Sequence, residues 1–511
     1  MTPDARAGGA LVTRLPTTLT ADPGRVLARM FVPGHDVVAN TQSRATGVLA
    51  RVLALSEDDV RRTLRAVLVR YTDRHRDLDG VLAGHYARIA HRVPDGHGLS
   101  EQRRTLIGAW FTHEYSIEAA ALFNPSAVPH PDQSGLGPGR LRFVLSLRAV
   151  GEGHLSSVEF RTGVLGPDAA GGLELTVDDP GPFVETGRPG PTGHDRDLFA
   201  ALLAEAGADE ESASFLLAGL PARFDEDELD RAIGALVLQR ATRHGGVRTG
   251  ELARRLVRCS YEVGFAPGST IAERVLWPHG PSESAGMEDA RFVRVDTDDG
   301  PAYRATYTAF DGTDIAPQAI DTTDFRRFRI SQLAGPAARN KGMAFFPRTV
   351  GGRHLALSRW DRENNSLASS ADGRWWGDSR TLHVPSRPWE LTQTGNCGSP
   401  VETDAGWVVL THGVGPMREY SMGALLLDLD DPSRVIGGLR EPLIGPAEDE
   451  RDGYVPNVVY SCGALRHGDH LLVPYGASDA SVRFAAVDLP LLLDRLVADG
   501  PPAATRENSS A

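Results

Sequence analysis

Apolar residues recur at three- and four-residue spacing from Ser56 to about Val93, in SEDDVRRTLRAVLVRYTDRHRDLDGVLAGHYARIAHRV. Ser56, with Asp59 three positions on, forms a helix start, so the stretch predicts helix. A second helical stretch follows Ser100. A third region, from Asp195 to about Tyr261, holds RDLFAALLAEAGADEESASFLLAGL and DEDELDRAIGALVLQRATRHGG, joined by short polar turns. Elsewhere the texture changes to short alternating apolar runs bounded by Gly, Pro and Asp, which predicts β-sheet.

The β-rich part carries an internal repeat. A turn glycine opens a strand that ends in a polar or aromatic group: Gly139 in GRLRFVLSLR, Gly300 in GPAYRATYTAF, Gly352 in GRHLALSRW, Gly406 in GWVVLTHGV and Gly468 in GDHLLVPYGASD. The last four glycines lie about 50 to 60 residues apart, a length suited to one four-stranded blade. The longer gap between Gly139 and Gly300 is filled by the helical region. The expected fold is therefore mainly β, a five-bladed β-propeller with an α-helical N-terminal region and a helical insertion after the first blade. The expected boundaries are 1–110 for the helical N-terminal region, 111–180 for the first blade, 181–260 for the insertion, 261–495 for blades two to five, and 496–511 for a disordered tail. A β-sandwich of repeated hairpins is the alternative that strand spacing leaves open. In a ring of blades, Arg148, Thr308, Arg359, His412 and Tyr475 stand at or near equivalent strand ends, where they would converge on a polar pocket. The insertion is expected to overhang the channel mouth and narrow the acceptor side, or else to pack on the N-terminal helices or make an oligomer contact.

Composition narrows the function classes. The chain has 511 residues, 41% hydrophobic and 24% charged, ample for a large core, and its net charge is -13. No Lys/Arg-rich stripe interleaved with aromatics is present, so no nucleic-acid partner is expected. No run of 18 apolar residues and no basic-then-apolar leader appear, so no membrane partner is expected and the cytoplasm is the expected compartment. Cys259, Cys397 and Cys462 lie far apart without a C-x-x-C pair, so they read as buried thiols and no metal site is expected. NCGS around Cys397 lacks the partner His of a cysteine-protease centre. No Gly-x-Ser-x-Gly elbow, Walker loop or His-Glu-x-x-His helix occurs.

A set of motifs points further. GMEDARF at 286–292, NKGMAFFP at 340–347, LSRW at 357–360, THGV at 411–414, GALLLDLDDPSRVI at 423–436, YVPNVVYSCG at 454–463 and YGASD at 475–479 follow one another in a fixed order, with FNPS at 123–126 before them. In this order and spacing the chain resembles glycoside hydrolase family 130, the β-mannoside phosphorylases and mannosidases. The resemblance covers about Phe123 to Gly163 and Glu262 to Leu491. It implies that Asp289 is the proton donor, acting through the 3-OH of the bound mannose. It implies that Lys341, Arg359, His412 and Tyr420 hold phosphate, and that Asn124, Arg148 and Asp479 hold the mannose. Phosphate replaces water as nucleophile when cations hold it opposite the leaving group, so such a site needs one acid and a basic cluster rather than two carboxylates. Read without the resemblance, Lys341 and Arg359 would also fit a surface ion pair, and Asn124 would fit turn chemistry before Pro125. Trp360, Trp375 and Trp376 are as suited to packing as to sugar stacking.

The chain departs from the family at Gln393, in QTGNCGSP, where phosphorylases commonly carry a lysine. An amide donates hydrogen bonds to phosphate without adding charge. Three functions follow as expectations: an inverting phosphorylase giving α-mannose 1-phosphate, a β-mannosidase using water with Asp361, Glu363 or Glu402 as candidate base, or a non-catalytic sugar-binding propeller. The expected partners are a β-linked manno-oligosaccharide or mannoside and inorganic phosphate as co-substrate, with no cofactor. The chain is compatible with a homo-oligomer, and its oligomeric state is left open.

Overall fold

The computed structural model describes residues 10–34, 44–93, 98–169, 171–239, 244–298 and 300–502. Among these residues most strands fall into five successive antiparallel stacks. The first comprises Ala121–Pro129, Leu141–Val150, Ser156–Pro167 and Leu173–Val177. The second comprises Gly286–Thr297, Gly300–Phe310, Ile315–Thr322 and Arg327–Gln332. The third comprises Ala344–Phe345, His354–Ser358, Asn365–Ser370 and Asp378–His383. The fourth comprises Gln393–Asn396, Gly406–Val414, Tyr420–Leu427 and Val435–Gly438. The fifth comprises Val459–Tyr460, His470–Ala477 and Ser481–Asp488, and the N-terminal strand Val12–Thr20 completes its outer edge. The repeat glycines Gly139, Gly300, Gly352, Gly406 and Gly468 all sit in the turn before the second strand of a stack, with φ between 58° and 136°. Only glycine enters that region without strain, which is why the repeat was visible at these positions.

The cores lie between stacks. Phe160 of the first packs with Phe292 and Phe328 of the second; Val293 and Ala319 of the second pack with Phe345 and Ala356 of the third; Leu357 and Leu367 meet Trp407 and Val409 of the fourth; and Val408 and Leu410 meet Val473 and Ala485 of the fifth. A further cluster joins Val482 and Phe484 of the fifth back to Phe143 and Leu145 of the first. Each stack thus buries one apolar face against its predecessor and one against its successor, the arrangement that excludes water from strands apolar on both faces.

The helical regions differ in part from expectation. The stretch from Ser56 is two helices, Glu57–Tyr71 and Leu78–Ile89, because Asp77 starts a new helix by accepting from the Gly80 N–H at 3.0 Å. Ser56 caps the first of them by accepting from the Asp59 N–H at 3.2 Å, and Ser100 caps Glu101–Trp110. The region expected to be helical from residue 1 to 110 contains strands at Val12–Thr20 and Val26–Met30. In the first of these Leu15, Thr17 and Leu19 alternate with exposed neighbours, a period of two, and the open edge of the fifth stack supplies the hydrogen bonds. The insertion carries the expected helices, Arg196–Glu205, Glu210–Ala218, Glu226–Gln239 and His244–Val257, around their own core. Its first part, expected to be helical from residue 181, instead forms the short strands Glu185–Thr186 and Arg188–Gly190, which pair with residues 274–275 and 262–264. It is tied to the second stack and the loop after it: Arg255 pairs with Asp311 at 2.7 Å, Gln332 donates to the Leu256 carbonyl at 2.8 Å, and Glu205 accepts from the Gly335 N–H at 2.6 Å. The tail expected to be disordered from residue 496 begins inside the helix Leu489–Asp499, where Leu492 and Leu496 are buried; residues 503–511 lie outside the described residues. No helix among the described residues is long and apolar enough to cross a membrane.

Candidate active site

One cavity of about 210 Å³ is lined by Asn124, Arg148, Asp289, Lys341, Arg359, Gln393, His412, Tyr420 and Asp479, together with Arg418, Val455, Val458 and Tyr460. All nine residues singled out in the sequence therefore come together. Asn124 and Arg148 come from the first stack and Asp289 from the second. Lys341 and Arg359 flank strands of the third, Gln393, His412 and Tyr420 belong to the fourth, and Asp479 comes from the fifth. Among the described residues no insertion residue lines the cavity, so the described part of the expected overhang does not reach it.

Irregular backbone aims three of these side chains. Pairing of Ala121–Pro129 with its neighbour skips between Phe123 and Ser126, and pairing of Gly286–Thr297 skips between Glu288 and Arg291. Asn124 (φ 49°) and Asp289 (φ 54°) sit in these bulges, and Asp479 (φ 49°) in the turn before Ser481–Asp488, all left-handed. Asn and Asp tolerate that region best, yet each pays about 1 kcal/mol or more there, and such conformations cluster at functional sites. The second bulge has a further effect. In a regular strand Glu288 and Asp289 would face opposite sides, whereas here both reach Arg148.

The charges form a connected set. Asn124 Nδ2 donates to Asp289 Oδ1 at 2.8 Å, and Arg148 Nη1 reaches the same oxygen at 3.4 Å. Glu288 bridges Arg148 Nη2 at 2.8 Å and Lys341 Nζ at 2.6 Å. Burial disfavours the charge on Asp289, but Arg148, Lys341, the Asn124 hydrogen bond and Arg291 outweigh it and hold its pKa below the ordinary carboxylate range. Asp479 goes the other way. Burial, and then repulsion from Asp289, push it up to about 7 against the pull of Arg148 and Arg418. Near neutrality the free site therefore takes up its first proton at Asp479 rather than Asp289.

His412 is not part of the positive charge. Burial, then Arg359 and Arg291, hold its pKa well below the ordinary histidine value, so the ring is neutral. Its Nε2 accepts from Arg359 Nη1 at 3.1 Å while Nδ1 donates to the Asn396 carbonyl at 3.3 Å, a tautomer assigned from these partners. Arg359 Nε is buried without a hydrogen-bond partner, as is Asn124 Oδ1. Gln393 Nε2 donates to the Tyr420 hydroxyl at 3.3 Å. Arg291, buried, donates to Asn396 Oδ1 at 2.7 Å and to the Tyr460 hydroxyl. Five cations, Arg148, Arg291, Lys341, Arg359 and Arg418, thus face three carboxylates, Glu288, Asp289 and Asp479, a surplus of two positive charges in a chain of net charge -13. Such a cavity is built to receive an anion beside a carboxyl pair.

Two of the repeat residues do not converge there. Thr308 is buried opposite Glu288 on the neighbouring strand, and Tyr475 is buried with its hydroxyl on Glu450 at 2.6 Å. Tyr475 packs in the core between the fourth and fifth stacks, and Thr308 is buried behind Glu288 without lining the cavity. The candidate bases are also elsewhere: Glu402 pairs with Arg348 on the surface, Asp361 accepts backbone N–H bonds of its own loop, and Glu363 does not line the cavity. Trp376 is core and Trp360 and Trp375 are half exposed outside the cavity. Cys397 is buried and its thiol pushed up to about 11 by burial, which removes it as a nucleophile. Glu288, Arg291 and Tyr460 escaped the sequence reading although they sit inside the quoted motifs GMEDARF and YVPNVVYSCG.

A family model described as beta-1,4-mannooligosaccharide phosphorylase matches residues 268–497. A 1,2-beta-oligomannan phosphorylase of Thermoanaerobacter sp. is 32% identical over 220 residues, covering 40% of this chain and 70% of that protein. The chain belongs to glycoside hydrolase family 130. A beta-1,2-mannobiose phosphorylase of Listeria innocua is 32% identical over 231 residues, 43% of this chain, and the chain spans 63% of its length. The solved complex of that enzyme with beta-1,2-mannobiose aligns at a TM-score of 0.43 and 21% identity, covering 75% of this chain and 93% of the other. The family 130 match includes Asp289 through Asp479 but begins after Asn124 and Arg148. These two join the site by geometry, through their contacts to Asp289.

Proposed function

We propose that this family 130 chain is an inverting β-mannoside phosphorylase, in which inorganic phosphate attacks a β-linked mannoside to give α-mannose 1-phosphate and a shortened sugar. The observation that carries this reading is the surplus of positive charge around the cavity, with Arg359 Nε left without a partner. A bound dianion would balance that surplus; water would not. Phosphate held by Lys341, Arg359, His412, Tyr420 and Gln393 forms the new bond to the anomeric carbon as the glycosidic bond breaks, and Asp289 delivers a proton through the mannose 3-OH to the departing oxygen. Asp289 is ionised in the free site. Phosphate offsets the cations that depress it and so favours its protonated form, which couples the acid to the nucleophile. Asn124, Arg148 and Asp479 would fix the mannose. The names of the relatives make β-1,2-linked mannobiose the first substrate to try. The reading of the five stacks as blades of a propeller belongs with this proposal, supported by the cluster that returns the fifth stack to the first and by cavity residues drawn from every stack.

Gln393 favours hydrolysis as the second reading, since it leaves phosphate one cation short. The two are separated by incubating β-1,2- and β-1,4-mannobiose with and without phosphate. Phosphorolysis predicts mannose 1-phosphate only when phosphate is present. Free mannose released at the same rate in both would overturn it in favour of hydrolysis, and no turnover of any mannoside, with sugar binding intact in Asp289→Asn, would leave a non-catalytic sugar binder.

A further inference from the structure

We infer that Arg418 supplies the cationic phosphate contact that Gln393 does not. This rests on the phosphorylase reading. The residue lies in the turn between the strands Gly406–Val414 and Tyr420–Leu427, which carry His412 and Tyr420. That turn is closed by the Gly415 N–H donating to the Glu419 carbonyl at 2.9 Å, and Met417 (φ 58°) and Arg418 (φ 59°) are consecutive left-handed residues within it. Two non-glycine residues in that region are costly, and Met417 recovers nothing by burial, being 92% exposed. What the turn achieves is to bring the Arg418 side chain back to the cavity wall.

The position is the right one. The Arg418 guanidinium carbon lies 5.8 Å from the centre of the Tyr420 ring, while the Gln393 amide donates to the hydroxyl of the same ring at 3.3 Å. Tyr420 is thus bracketed by the neutral amide and by the guanidinium, so a charge missing at one is available at the other. The remaining cations are already engaged: Arg148 and Lys341 by Glu288, Arg291 by Asn396 and Tyr460, and Arg359 by His412 through one N–H. Among the described residues no carboxylate forms an ion pair with Arg418, and it lies near enough to Asp479 to pull weakly on that carboxyl. A guanidinium grips two phosphate oxygens at once, which a lysine does not, so the exchange of a lysine for Gln393 and Arg418 preserves charge while changing its geometry.

Steady-state kinetics and calorimetric titration with inorganic phosphate on Arg418→Ala, Gln393→Lys and the double variant test this. Expected is a rise of about tenfold or more in the KM and Kd for phosphate in Arg418→Ala, with the KM for mannobiose little changed, and recovery of most of the loss when Gln393→Lys is added. An unchanged Kd for phosphate in Arg418→Ala overturns the proposal. So does a rise in the mannobiose KM alone that Gln393→Lys does not rescue, which would assign Arg418 to Asp479 and the sugar. Turnover independent of phosphate in the wild type would instead overturn the phosphorylase reading, and the titration would still decide whether Arg418 holds the anion.

Discussion

Two of the buried charge clusters among the described residues do different work. Arg25 and Arg161 face Glu118 and Glu159 with at most 5% of any side chain exposed. Arg25 reaches Glu118 at 2.8 Å and Glu159 at 3.0 Å, and also donates to the Ala272 carbonyl at 2.9 Å, while Glu118 accepts from the Asp22 N–H at 2.8 Å. Two cations cancel two carboxylates, the backbone is unstrained, and the group pins the N-terminal segment to the first stack. In the cavity the charges do not cancel, and Asn124, Asp289, Arg418 and Asp479 are all left-handed. The difference shows how to tell a fastener from a receptor: a closed cluster is neutral within itself, whereas an open one carries the charge complementary to what it awaits.

The sharpest way to break the comparison is to remove one carboxylate from each cluster. Asp289→Asn should lower kcat on mannobiose by about a thousandfold or more while leaving the melting temperature nearly unchanged, as read by steady-state assay and thermal denaturation. Glu159→Gln, which removes the carboxylate whose pKa Arg25 and Arg161 hold down against burial, should do the reverse. It leaves two guanidiniums facing one carboxylate, so urea denaturation should show a loss of about 3 kcal/mol, with the phosphate KM of the folded protein within about twofold of wild type.

A smaller effect sharpens the account of Asp479. Burial and Asp289 push its pKa up to about 7, so the stability it contributes is complete below the ordinary aspartate pKa and is lost as pH rises through about 7. Asp479→Asn should therefore be more stable than wild type above pH 7, by on the order of 1–2 kcal/mol after allowance for partial exposure, and the gain should vanish toward pH 4. Denaturant midpoints across that range check it. A constant difference at every pH would show that the carboxyl is not held up by its surroundings.

Much of this was legible in the sequence because it rests on local chemistry. Ser56 and Ser100 announced helix starts through side-chain caps, and the five repeat glycines announced turns that need positive φ. The nine site residues were found because their motifs resemble one family. What stayed hidden depends on partners distant in the chain. Val12–Thr20 becomes a strand only against Ser481–Asp488, more than four hundred residues on. Thr308 and Tyr475 share the repeat positions but are buried away from the cavity, and Glu288 reaches the site only because a bulge breaks strand alternation beside it. Arg418 carries no motif signal of its own; its role follows from a strained turn and from Gln393 across the ring of Tyr420.

The central claim is that the surplus charge of the cavity exists to hold phosphate. A crystal soaked with mannose and inorganic phosphate tests it most directly. The account predicts one phosphate between Lys341 and Arg359, within hydrogen-bond distance of the Arg359 Nε that is unpaired in the free protein, and mannose on Asn124, Arg148 and Asp479. Mannose bound there with only water between Lys341 and Arg359, at phosphate concentrations that saturate turnover, would contradict it.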